Sequence, residues 1–175
     1  MKNFSLLFVL MALFMVSCKN NPQNTIEKLE KKVINEDKTL NNEVATELIA
    51  AYTDYANKNA GDEKSPDYLF KALELAVNMK DANKSLDILS SMENSYSQYE
   101  KPPTAIFMVA SLVCEDVLGD YGRAKGMYEK IIQKYPDCEW VETAEQAIKN
   151  LGKTPEELIR EFEMMNADTL VEQPA

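Results

Sequence analysis

Three carboxylate pairs, Glu115-Asp116, Glu142 with Glu145, and Glu156-Glu157, and three cysteines, Cys18, Cys114 and Cys138, are the residues whose type and spacing could do chemistry. Paired carboxylates can hold a divalent cation or divide acid and base roles at a glycosidic bond. None of these pairs lies in a glycine-containing calcium loop, and their spacing reads as solvated helix faces. Histidine is absent from the 175 residues. That removes the commonest general base, the commonest metal ligand and any Ser-His or Cys-His nucleophile pair. No glycine-rich phosphate loop or nucleophile elbow is present either. The sequence thus predicts no enzyme, no catalytic residue, no metal and no cofactor.

The elements that must position any site are helical. Glycine is scarce, at 5, while Ala, Leu, Glu and Lys are plentiful, so propensity favours helix nearly throughout and the fold class is all-α. Net charge is -10, and without residues 1–17 it becomes -11, from 18 basic and 29 acidic residues. Nucleic acid is therefore an unfavourable partner.

The N-terminus reads as an address. Lys2, an apolar run over residues 4–16, and Ser17 before Cys18 form a secretory signal over residues 1–17, too short for the roughly 20 residues a span requires. Met15-Val16-Ser17-Cys18 resembles the lipobox of bacterial lipoproteins, with Met15 a departure from the usual Leu. The resemblance implies cleavage before Cys18, lipidation of its thiol and, with Lys19 rather than Asp following, placement at the outer membrane on its periplasmic side. Residues 18–24 read as a flexible tether and 25–39 as a marginal helix that could serve self-association.

The centre of the chain is residues 102–136. Residues 105–114, AIFMVASLVC, are too apolar to stand alone as a helix, and the helix from Arg123, with Ala124, Met127, Tyr128, Ile131 and Ile132 at helical spacing, is built to cover it. Gly119-Asp120-Tyr121-Gly122 turns the chain between them, and Pro136 closes the second. An earlier hairpin runs from Ser65-Pro66-Asp67, with Ser65 expected at the cap, through Leu69, Leu73 and Ala76 to a turn at Lys80-Asp81, then through Ser85, Leu89 and Met92 to Tyr96. A shift of 39 lays one hairpin on the other, Tyr68 on Phe107, Ala72 on Ser111, Leu75 on Cys114, Asp81 on Asp120 and Leu89 on Tyr128. Before them, a helix through Val44, Leu48, Tyr52 and Tyr55 should end in a left-handed cap at Gly61. Trp140, Ala144 and Ala147 begin a third unit. Thr154-Pro155-Glu156-Glu157 is a capping box opening a last helix with a polar outer face, and residues 166–175 lose the apolar period and read as a disordered tail.

Phe107, Ser111, Ala124, Tyr128 and Pro136 match the tetratricopeptide repeat, and residues 25–165 as a whole resemble small repeat lipoproteins of the bacterial periplasm, including accessory lipoproteins of β-barrel assembly. Cys114 and Ile131 depart from the repeat pattern, and one extra residue separates Cys114 from Ala124. The resemblance implies a right-handed solenoid of about two to three helical hairpins that binds protein, anchored to the membrane by lipid. By the family's geometry the groove would place Leu69, Leu73 and Ala76 beside Met108, Leu112 and Glu115, to be covered either by a partner or by the chain's own helices. In that register Cys114 lies about 13.5 Å along the helix from the level of Cys138, beyond the roughly 7 Å a disulfide tolerates, so both thiols should be free. Two other functions stand beside the adaptor: a cell-envelope polymer hydrolase working through carboxylates, and a self-assembling structural lipoprotein.

Overall fold

The computed structural model describes residues 21–171, with side chains placed as far as 164. The signal segment, Cys18 and the next two residues of the expected tether lie outside the described residues, while Pro22 to Asn24 of that tether are helical rather than flexible linker. Among those described, every regular element is helical, joined by one isolated antiparallel bridge between Ile34 and Leu40. No helix among them is long and apolar enough to cross a membrane. The chain divides into two compact units, one ending at Ala51 and one beginning at Tyr52, inside a helix.

In the first unit, helix α1 (Pro22–Glu30) begins earlier than its apolar pattern, because Asn21 accepts from the Gln23 amide at 3.0 Å and Pro22 is preset for a first turn. It also stops earlier than expected. Asp37 accepts from both the amide and the hydroxyl of Thr39, at 3.0 and 2.6 Å, and Lys38 adopts a left-handed φ of 66°. Local side-chain bonds of this kind offer the backbone an alternative to helix. Asn41 then accepts from the Val44 amide at 3.2 Å to cap α2 (Asn42–Lys58).

The second unit is a series of helical hairpins. Helix α3 (Ser65–Asn78) packs on α4 (Ala82–Ser95), and α5 (Pro102–Met108) continues directly as a π-helical segment, Val109–Glu115, that packs on α6 (Tyr121–Lys134). Helix α7 (Val141–Asn150) packs on α6, and α8 (Pro155–Val171) follows it. Ser65 is not the cap of α3; it is buried and donates to the Asn59 carbonyl at 2.7 Å, tying the helix to the preceding loop. Nor is Gly61 left-handed; that conformation falls on Lys80, Gly119 and Gly152. The capping box is formed, Thr154 and Glu157 exchanging bonds of 2.8 and 3.2 Å. Helix α8 runs on to Val171, past the end of the apolar period and into the expected tail, through residues such as Ala167 and Leu170 that favour helix.

The hairpins repeat, but not with one shift. Helices α4 and α6 superpose at the expected 39: Asp81 and Asp120 each accept from the amide three residues on at 3.0 Å, and Tyr96 and Tyr135 end the two helices. The first helices superpose at 37 instead, since Leu69, Ala72, Leu73, Ala76 and Val77 are buried as Ile106, Val109, Ala110, Val113 and Cys114 are. The two added residues enter as wide turns. Asp116 and Leu118 donate five residues back, to Ser111 at 3.2 Å and Val113 at 2.9 Å, and the helix widens into π geometry to take them.

Candidate functional site

This change of register separates the six residues expected to line one groove. Leu69, Leu73 and Ala76 are core, with at most 1% of their surface exposed, so that row is closed by the chain itself. Met108 is half-buried, Glu115 is half-buried, and Leu112 is 45% exposed on the π segment. The single-shift register joined an inner row of one hairpin to an outer row of the next. Of the repeat residues, Ala124 and Tyr128 are buried, Phe107 and Ser111 are half-buried, and Pro136 is exposed.

The structure does expose four large apolar side chains on the π segment and the second hairpin turn. Leu112 is joined there by Val117, Leu118 and Tyr121, the last two 45% and 48% exposed. The π segment sets the position of this patch. Val117 and Leu118 lie at the end of its wide turns, and Gly119, at φ 63°, leads the chain into α6. Tyr121 then lies over Gly152, where a Cβ would meet the ring at 3.6 Å, and a cleft of about 310 Å³ opens between the turn and α8, lined by Glu115, Asp116, Tyr121, Ala147, Lys153 and Leu158.

The polar groups of the patch are mostly engaged inside the chain. Tyr128 donates to the Glu115 carboxylate, and burial together with that bond pushes the Tyr128 phenol far above its ordinary range. Lys153 is tied to Glu161 at 2.6 Å and Arg123 to Asp120 at 3.5 Å. Asp116 is exposed. The surface is therefore apolar at its centre and, with both cations paired, negative at its rim.

Glu142 and Glu145 are exposed on α7, and Glu157 serves the capping box. The displaced carboxyl groups Asp37, Asp62 and Asp67 are all held below their usual range, mainly by hydrogen bonds to Thr39, Lys64 and Tyr99 respectively. No cluster of three metal-ligating side chains occurs among the described residues. Cys114 is buried and unpaired, its thiol pushed up by burial; Cys138 is half-buried and unpaired.

Val117 and Leu118 were not singled out from sequence and Tyr121 was read only as part of the turn, although Leu118 closes the apolar run two residues beyond the acidic pair and so carried a signal. Comparison with family models, with curated proteins and with solved structures returns no match.

Proposed function

We propose that this chain is a lipid-anchored adaptor of the bacterial cell envelope, a tetratricopeptide-like array of helical hairpins presenting a docking surface to a partner protein. The observation that carries this reading is the exposed apolar turn, with Leu112, Val117, Leu118 and Tyr121 on one end of a repeated scaffold. Several large apolar side chains exposed close along one stretch of chain mark an interaction site more often than single scattered ones do. The repeat supports a hairpin array, since paired hairpins bury through their neighbours what no single unit can bury alone. The lipobox-like residues ending at Cys18 support anchoring, with attachment at the periplasmic side of the outer membrane.

A photo-crosslinking residue placed at Leu118 in intact cells tests the reading, with exposed Lys125 on α6 as the control position. A discrete adduct at Leu118, absent at Lys125 and lost when Cys18→Ala removes the anchor, is the expected result. Equal or absent adducts at the two positions would overturn it.

A further inference from the structure

Helix α8 carries a second surface, which adjoins the turn at the cleft under Tyr121 and extends away from it. Its cap is Thr154, as Asp81 caps α4 and Asp120 caps α6. Counting from the cap, Phe162 falls where Leu89 and Tyr128 fall in those helices. Leu89 and Tyr128 are 3% and 1% exposed, whereas Phe162 is 62% exposed and Ile159 beside it 58%. Helix α7, which precedes α8, has 10 residues where α3 has 14. The ridge begins inside the structure, at half-buried Leu158 in the cleft under Tyr121, and runs outward through Ile159 and Phe162. The expected polar face, Glu157, Arg160, Glu161 and Glu163, is exposed, but so is the apolar face beside it, at Ile159 and Phe162.

The charges beside the ridge point to its occupant. Glu156 and Glu163 are exposed next to Ile159 by helical phase, with Arg160 the cation between them, while Glu157 is taken by the capping box and Glu161 is held by Lys153. A second copy of this chain would bring the same acids to the contact, and like charges oppose such a pairing. An anionic lipid surface is opposed for the same reason.

We propose that the α8 ridge receives an amphipathic helix with a basic rim from another protein, its apolar side chains covering Ile159 and Phe162 as the chain covers Leu89 and Tyr128, and its lysines or arginines facing the glutamates. Helix-in-groove recognition of this kind reads apolar anchors at helical spacing. The surface differs from the turn patch, so either assignment can fail alone.

The test uses the chain with Cys18→Ala and a designed peptide of leucines at helical spacing with a lysine rim, beside its glutamate-rimmed counterpart, read by fluorescence anisotropy. The lysine peptide should bind about tenfold or more tighter than the glutamate one, and added salt should weaken it. Phe162→Ser should abolish binding with helical signal and melting unchanged, and Glu156→Lys with Glu163→Lys should reverse the preference. Leu118→Ser, at the turn patch, should leave binding intact. Equal binding of both peptides, or binding that survives Phe162→Ser, overturns the proposal. Dimerisation of the free chain that Phe162→Ser abolishes would assign the ridge to a second copy, and Phe162-dependent capture by anionic vesicles would assign it to lipid; each refutes a basic helix.

Discussion

The ammonium of Lys101 lies 5.0 Å from the centre of the Phe70 ring. One hairpin later the indole of Trp140 stacks on Phe107 at 4.5 Å, with an interplanar angle of 24°. The pairs correspond, for Phe70 and Phe107 match by the shift of 37 that relates the first helices, and Lys101 and Trp140 by the shift of 39 that relates the residues after them. Each hairpin is thus closed by whatever precedes the next. Trp140 also donates to Thr104 at 2.9 Å.

The two closures should differ in strength. Trp140→Ala removes a stacked ring and a hydrogen bond and should cost about 2 to 4 kcal/mol. Lys101→Ala removes a half-exposed cation and should cost about 1 kcal/mol or less. Urea unfolding of the two variants checks the order; a larger loss at Lys101 would deny that the junctions are equivalent.

Lys80 and Gly119 hold left-handed φ angles of 56° and 63° at corresponding places in the two turns. Only glycine takes that conformation without a steric penalty. Lys80→Gly should therefore leave stability level or raise it by up to about 1 kcal/mol, and Gly119→Ala should lower it by about 1 kcal/mol. The midpoints of chemical unfolding decide this directly.

Ionisation at the start of α3 gives a pH signature. Tyr99 donates to Asp67, and Lys101 donates to the same carboxylate at 3.2 Å. The Asp67 carboxyl is held low by the Tyr99 bond, so its contribution to stability is present above the ordinary carboxyl range and is lost as pH falls through the lowered value. The Tyr99 phenol is pushed up to about 12, by burial first and then by Asp67, so its contribution is present below the ordinary tyrosine range and disappears as pH rises through that value. Asp67→Asn should bring the Tyr99 titration closer to its ordinary value of about 10, seen as tyrosinate absorbance, and Tyr99→Phe should remove that step altogether. An unchanged tyrosinate curve in Asp67→Asn would break the link.

Thiol reactivity follows burial. In a Cys18→Ala chain, Cys138 should react with an aromatic disulfide reagent in the folded state, while Cys114, fully buried with its thiol raised by desolvation, should react only on unfolding. Both should titrate under denaturing, non-reducing conditions. A protected pair would contradict the separation of the two thiols.

Much of this architecture was legible in the sequence because it rests on local signals. Thr154 announces a helix start through a side chain that bonds an amide three residues on, Asp81 and Asp120, read as turn residues, do the same, and Tyr96 and the chain before Pro136 announce ends. The register of the first helices was not legible, since two added residues entering as wide turns leave no mark in an apolar run such as 105–114. The Tyr99-Asp67 bond was equally hidden, its partners lying 32 residues apart. The groove failed for the same cause as the register: a slip of two residues on a helix turns an inner row outward.

That slip sets up the comparison between Leu73 and Leu112, residues that a single shift would place in one row. Leu73 is fully buried and Leu112 is 45% exposed. Leu73→Lys puts an unpaired charge in the core and should cost several kcal/mol, abolishing cooperative melting. Leu112→Glu, already at the surface, should change stability by about 0.5 kcal/mol or less, and Met108→Lys added to it should cost only modestly more because Met108 is half-buried. Melting followed by circular dichroism separates the outcomes. If Leu112→Glu unfolds the chain as Leu73→Lys does, the two leucines belong to one buried row after all, and the docking surface at the second turn loses its central residue.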